Sequence, residues 1–504
     1  MQRPNILFIF TDQQRHDTIR ALGAPWMQTP HLDALAARGT AFTRTYCAGA
    51  TCVPSRAAVF TGMFAHNTGV YSFQNWGHHR TFVEDLADAG YWCASIGKMH
   101  FQPRDVSGGF HERVIVENPS GTTKWGGNGD DDWGRYLSFH GRTRENMRHE
   151  TDPDWLKKFQ AVPWTDEEHL HSDAFVAKSA RAWLRNHLET RDDPAQPWFL
   201  EVGFPGPHEP YDPPPRWAQP YLRADDLPPP VAWEDDLSEK PPQHAAHQAF
   251  FANCGAESRI NMPGATLEDI RRMRAHYYGK VSYLDELIGG FLDEARDLGM
   301  LDNTWIVFSS DHGDNLGDHR LSYKWILHEG TVRVPLIIVP PGGAAAGTTV
   351  GELASLIDLA PTFLEMAGLP LPSRFEGRSL LPCLRDHPPP APREAVYCED
   401  NYLLMMRRRD GWKLVHYLDG TPGELYNLDE DPEERRNLWS DPGHATRRDA
   451  CTRQALEWLA RSAHATAAYK CNPPTGEGFP GWRHARAGGP ELIGPGLLDR
   501  FPVD

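Results

Sequence analysis

Residues 4–15 read PNILFIFTDQQR, and the order of residue types in that stretch decides the fold class. Ile6 to Phe10 is an unbroken apolar run that gives way at once to Thr11, Asp12, Gln13, Gln14 and Arg15. A strand with one wet face would alternate apolar and polar residues. A short continuous run suits a strand covered on both faces, as in a parallel sheet between helices. Similar runs recur at 92–96, 198–204, 305–309 and 335–339. Amphipathic helical patterns fall between them, at His31 to Arg38, Phe82 to Ala89, Asp173 to Leu188 and Leu267 to Leu298. Strands alternating with helices predict an α/β doubly wound sheet.

In such sheets chemistry collects at the carboxyl ends of the strands. Asp12 follows the first run, Lys98 and His100 follow Ile96, His208 follows Phe204, and Asp311 follows Ser309. Asp12-Gln13 and Asp311-His312 each close a buried strand. Two carboxylates at neighbouring strand ends repel unless a cation lies between them. The four residues offer three oxygen ligands and one imidazole. Calcium favours an all-oxygen shell, whereas a histidine shifts the choice toward manganese, so one divalent ion of either kind is expected. Taken alone, each pair also reads as a helix cap or a turn.

The composition limits the partners. With 51 basic and 68 acidic side chains the net charge is -17, which argues against nucleic acid but allows a small anionic substrate in a local basic pocket. The first apolar run is too short for a signal-peptide core, and no apolar run is long enough to span a membrane. The eight cysteines are scattered without a CxxC pair, which predicts reduced, mostly buried thiols and a cytoplasmic setting.

Two stretches interrupt the α/β rhythm. Residues 104–165 are rich in Gly, Asp and Trp (Trp125, Trp133, Trp155, Trp164), residues 205–262 are rich in proline, and both are expected to form a rim or lid. A proline-rich break from Pro382 to Pro392 predicts a boundary, with a catalytic α/β domain over 1–385 and a smaller antiparallel subdomain over 393–465. Within the latter, Met405 to Leu428 reads as a hairpin system and His444 to Ser462 as a helix. The aperiodic tail, 466–504, is expected to wrap along a surface, that of a second subunit in a homo-oligomer.

The stretch Cys52-Val53-Pro54-Ser55-Arg56 stands apart from these elements. Proline two residues after the cysteine fits the first turn of a helix, and Arg56 falls on the same helical face as Cys52. A cysteine at the positive end of a helix beside a guanidinium suits a nucleophile and an anionic substrate, although it equally describes a low-pKa redox thiol.

The run CVPSRAAVFTG, residues 52–62, resembles the sulfatase signature C-x-P-x-R followed by T-G. PNILFIFTDQQR is similar to that family's opening strand. GYWCASIGKMHF resembles its G-Y-x-T-x-x-x-G-K-x-H segment, with Cys93 where threonine is usual. GFPGPHEPYDPP resembles its H-x-P-x-x-x-P segment, SDHGDNLGDHRLSYKW its last metal-binding segment with Lys324, and GELYNLDEDPEERRNL its C-terminal part. The resemblance implies the alkaline phosphatase superfamily fold. It also implies that Cys52 is converted to formylglycine by a formylglycine-generating enzyme, and that the hydrated aldehyde is the nucleophile.

By the same resemblance Asp12, Gln13, Cys52 (as formylglycine), Asp311 and His312 hold the metal. Arg56, Lys98 and Lys324 stabilise the anionic ester, His208 protonates the leaving group, and His100 serves as base, with the two histidines open to exchange. Many sulfatases carry Asp-Asp first and Asp-Asn or Asp-Gln last. The variant seen here resembles choline sulfatases and phosphonate monoester hydrolases, while the Lys98–His100 segment leans toward the sulfatases. The implied reaction is hydrolysis of sulfate monoesters, with phosphonate monoesters or phosphodiesters as the alternative. A binding protein that keeps an ordinary thiol at Cys52 is the rival of another class.

Overall fold

In the computed structural model, which describes residues 3–117, 131–144, 156–234, 237–254, 259–343, 347–384 and 392–466, strand β1 (Asn5–Asp12) lies at the centre of an eight-stranded sheet. The other strands are β2 (Thr40–Tyr46), β3 (Trp92–Gly97), β4 (Glu112–Ile115), β5 (Trp198–Pro207), β6 (Thr304–Ser310), β7 (Arg333–Val339) and β8 (Thr348–Ser355), in the order β4-β3-β5-β1-β6-β7-β2-β8. β1 runs parallel to both β5 and β6. Its side chains alternate between two buried layers. Ile6, Phe8 and Phe10 pack with Val53, Phe60, Phe82 and Phe363, whereas Leu7 and Ile9 pack with Leu35, Val176, Leu284 and Ile288. Helices on both faces explain why the run could be apolar throughout.

Helix α1 (Pro30–Arg38) and the helices Ser172–Thr190 and Leu267–Asp297 cover one face. Helix α2 (Cys52–Thr61) and the helices Phe82–Asp88 and Leu359–Met366 cover the other. All five expected strands are present. β2, β4 and β8 are additional, because TAFTRTY, ERVI and TTVGELAS lack a continuous apolar run. β7 is antiparallel to β6 and to β2, so the sheet is mixed.

A separate four-stranded antiparallel sheet has the order β12-β11-β10-β9, from β9 (Ala395–Asp400), β10 (Leu403–Arg408), β11 (Trp412–Tyr417) and β12 (Glu424–Asn427). The helix Ala445–Ala465 packs Cys451 and Ala455 against Leu404, Met406, Leu414 and Leu425 of that sheet.

The two interrupting stretches are more deeply built in than a rim. Trp133 and Trp164 are core residues, Trp133 with its Nε1 donating to the Leu170 carbonyl at 2.9 Å. The proline-rich stretch contributes Tyr211, Tyr221 and Phe251 to a tyrosine-rich core with Tyr277, Tyr278 and Tyr323. Trp125, Trp155, most of the break at 382–392 and all of the tail beyond 466 lie outside the described residues. The seven cysteines described are all free thiols, and no helix among the described residues is long and apolar enough to cross a membrane.

Candidate active site

Four adjacent central strands, β3, β5, β1 and β6, deliver their following residues to one place. Gly97 makes this convergence possible at β3. It takes φ +118°, and a Cβ there would lie 1.9 Å from the Gly203 carbonyl oxygen, so only glycine lets β3 close on β5 and aim Lys98 inward. Directly after β5, His208 N donates to the Asp12 carbonyl at 3.2 Å. Lys280, on the long helix Leu267–Asp297, pins the following turn by donating to the carbonyls of His208 (3.1 Å) and Pro210 (2.8 Å) and to Asp212 (2.9 Å).

Cys52 is the first residue of α2. Its N-cap, Thr51, leaves the helix uncapped by a side chain and donates instead to Asp400 Oδ2 at 2.6 Å, from the last residue of β9. The first N–H groups of the helix and its positive end therefore face the site. Cys52 Sγ lies 3.1 Å from Lys324 Nζ, 3.3 Å from His312 Nε2 and 3.7 Å from Asp12 Oδ1. Burial pushes the thiol up, but Lys324, Lys98 and His312, together with a hydrogen bond from His100, outweigh it and hold it well below its ordinary value.

The carboxylates are arranged by Arg56. Its Nε donates to Asp311 Oδ2 at 2.9 Å, Nη2 to Asp12 Oδ2 at 3.4 Å, and Nη1 to the Lys98 carbonyl at 2.5 Å. Its guanidinium lies over the Phe10 ring, 4.8 Å from the centroid. Sequence reasoning placed Arg56 against the ester. In the structure its donors go to the two carboxylates and a carbonyl, so it positions the ligand set. Asp12 also pairs with Lys98 Nζ. Burial and the Cys52 thiolate raise the Asp12 carboxyl, yet Lys98, His208 and Arg56 hold it far below the usual range.

A carboxylate oxygen each from Asp12 and Asp311, Cys52 Sγ and a ring nitrogen of His312 fall within 4.8 Å of one another. His312 Nδ1 donates to the Gly313 carbonyl at 2.8 Å, which leaves the Nε2 lone pair for a ligand. Gln13, at φ +66°, turns its amide oxygen to Lys324 Nζ at 2.8 Å. Two carboxylates, an imidazole lone pair and an amide oxygen fit a divalent cation.

Asp12, Gln13, Arg56, Lys98, Asp311 and His312 are fully buried, whereas His208 is 5% and Lys324 7% exposed and His100 is only half-buried. Access is thus from the side of the two histidines and Lys324. Burial disfavours charge on His208, but Glu209, 3.0 Å from Nδ1, prevails and its pKa is raised. The His100 N–H donates to Glu117 Oε1 at 3.1 Å, and its ring meets Phe73 edge-on at 5.7 Å.

Every residue anticipated from the sequence is brought to this site. Glu209, Tyr211 and Asp400 were not anticipated. Glu209 adjoins His208 in the HEP triplet, so adjacency was the available signal for it, as it is for Asp314, a supporting group that closes DHGD; Asp400 lies across a long sequence separation and gave none.

Carboxylates held by cations around a position at a helix N-terminus suit hydrolysis of anionic esters, and the comparisons identify the kind of hydrolase. The profile of the sulfatase family matches residues 4–369, and that of "N-sulphoglucosamine sulphohydrolase, C-terminal" matches 317–460. The chain belongs to the sulfatase family, within the alkaline phosphatase superfamily. It is 30% identical to an arylsulfatase of Clostridium perfringens, over 89% of this chain and 92% of that protein. It is 31% identical to a choline-sulfatase of Rhizobium meliloti, over 87% of this chain and 83% of the other. The structure of a phosphonate monoester hydrolase from Agrobacterium radiobacter superposes with a TM-score of 0.79 at 26% identity, covering 91% of this chain and 96% of that one.

Proposed function

We propose that the protein hydrolyses sulfate monoesters with a formylglycine made from Cys52 as nucleophile. The observation that carries this reading is the position of Cys52 itself: first in α2, within reach of Lys324, His312 and Asp12. A plain redox thiol gains nothing from a ligand set beside it, whereas the two hydroxyls of a hydrated aldehyde would use that set and the surrounding bases. A divalent cation held by Asp12, Gln13, Asp311 and His312 would supply Lewis acidity to the attacking oxygen and the ester.

The chain's own groups do the rest. Lys98 and Lys324 hold the anionic ester oxygens, and Arg56 keeps both carboxylates in place. One aldehyde-hydrate oxygen, its proton released to water, bonds to sulfur as the S–O bond to the alcohol breaks. His208, raised toward its charged form, gives the departing oxygen its proton. His100 then takes the proton of the second hydroxyl, the carbon–oxygen bond to sulfate breaks, and the aldehyde re-forms and is hydrated by water. No second attack at sulfur is needed, which a serine could not arrange.

Hydrolysis of phosphonate monoesters is the second reading, favoured by the Gln13 and His312 ligands and by the superposition on a phosphonate monoester hydrolase. Mass spectrometry of the tryptic peptide 45–56 from the native host comes first. Cys47 in the same peptide is an internal control, and only Cys52 should be an aldehyde or its hydrate. Rates on matched aryl sulfate and aryl phosphonate esters then separate the readings, with sulfate expected to be the faster. Faster phosphonate turnover selects the alternative. An unmodified thiol in the native protein, with no turnover of either ester, would leave a binding protein.

A further inference from the structure

Away from the ester site, the helix Pro242–Asn253 carries two histidines one turn apart. His247 Nε2 lies 2.7 Å from the carbonyl oxygen of Lys324, and next to it Gln248 Nε2 donates to the Arg320 carbonyl at 2.6 Å. His244 meets the C-terminal sheet, with Nε2 3.3 Å from Glu424 Oε1 on β12. His328, which precedes the short helix Glu329–Val332, completes the group; its ring is 5.3 Å from that of His244 at 78°. One nitrogen from each ring and one Glu424 oxygen lie within 4.8 Å of one another. All three side chains are buried, His244 at 0%, Glu424 at 1% and His328 at 3% exposure.

The surroundings are those of a ligand set with its outer partners in place. Tyr417 and Tyr426 donate their hydroxyls to Glu424 at 2.7 and 2.6 Å and fix the carboxylate. Glu434 Oε2 lies 3.4 Å from His328 Nδ1, where it would keep the proton on that nitrogen and leave Nε2 its lone pair. His319 stacks on the His328 ring at 3.9 Å. His328 Nε2 and His244 Nδ1 have no hydrogen-bond partner, a costly state for fully buried polar atoms. Of the ammonium groups nearby, Lys240 is directed to the Glu434 and Arg435 carbonyls at 3.0 and 3.2 Å, and Lys413 pairs with Glu434 Oε1 at 2.7 Å.

We propose that His244, His328 and Glu424 form a second divalent-metal site that clips the helix Pro242–Asn253 to the C-terminal sheet and so braces the segment carrying Lys324. Two imidazoles and one carboxylate suit zinc or cobalt, with a water in the fourth position. A metal-free hydrogen-bond network is the competing account.

The full-length protein, stripped by chelator and dialysed, is titrated with cobalt(II) and separately with zinc. Two bound equivalents per chain are expected in the wild type, one with the visible absorption of four-coordinate cobalt. Asp311→Asn, which weakens the ester site, should keep that absorption and still gain Tm on adding zinc. Adding Glu424→Gln or His244→Asn to it should abolish both responses; the isosteric glutamine guards against misfolding, checked by circular dichroism. Saturation of the wild type at a single equivalent, or a cobalt spectrum unchanged by either second substitution, would overturn the site and leave the ester-site reading untouched.

Discussion

The Gln13 amide donates from Nε2 to Asp314 Oδ2 at 2.8 Å, and the same oxygen accepts the Tyr211 hydroxyl at 2.7 Å. Nε2 also lies 3.2 Å from Glu209 Oε2, so both amide hydrogens are taken and the amide oxygen is left facing Lys324. Asp314 thus decides which end of the amide enters the ligand set. Asp314→Asn offers the amide a donor as readily as an acceptor and lets it flip. Metal affinity should fall about 10- to 100-fold, the range seen when an outer partner of a ligand is lost. A competitive chelator titration reads it directly, and an unchanged affinity would mean that Gln13 is held by Glu209 alone.

Arg56 neutralises Asp12 and Asp311 in a fully buried place. Arg56→Ala leaves two carboxylates facing each other without it, a loss of about 3–5 kcal/mol for a broken buried pair. The loss should be larger after chelation, since a bound cation screens the same carboxylates. Arg56→Lys keeps the charge but cannot bridge both acids, so it should recover stability only in part. Thermal unfolding with and without metal checks the ordering; equal losses in both conditions would contradict it.

These relationships also show what the sequence could carry. A strand buried on both faces announces itself, and so the core of the sheet and the side chains ending β1, β3, β5 and β6 were readable. The edge strands β4 and β8 were not, because a half-covered strand such as ERVI has no run to recognise. Arg56 was found by its spacing from Cys52, but helical spacing gives a face and not a partner. Its true partners come from two distant strands. Asp400 was invisible for the same reason: the hydrogen bond to Thr51 spans 349 positions and exists only because the C-terminal sheet docks beside α2.

Glu201, on β5, accepts the Ser95 hydroxyl at 2.8 Å and has no partner at Oε1. Burial pushes its carboxyl from 4.5 up to about 8, against the pull of Arg56 and Ser95. Because the folded pKa lies above the unfolded one, the folded chain holds this proton more tightly. The stability it contributes is full below the unfolded value and is lost as pH rises through about 8. Glu201→Gln is neutral throughout and should gain on the wild type by up to about 1.4 kcal/mol per pH unit across that window. Urea unfolding over a pH series measures the difference; a gap independent of pH would place the raised pKa elsewhere.

The roles proposed for His208 and His100 separate by leaving group. An acid matters most when the departing alkoxide is basic, so His208→Gln should slow alkyl sulfates by about 10²- to 10⁴-fold and nitrophenyl sulfate far less. The Glu209 carboxylate raises the pKa of His208 and so favours its protonated form, and activity on alkyl esters should fall as pH climbs past that pKa, a limb that the variant should lack. His100→Gln acts on the later breakdown of the sulfated enzyme. It should slow all esters to one common rate and produce a burst of released alcohol in rapid-mixing experiments. If the burst appears instead in the His208 variant, and the leaving-group dependence in the His100 variant, the two histidines exchange roles while the nucleophile and the ligand set stay as described.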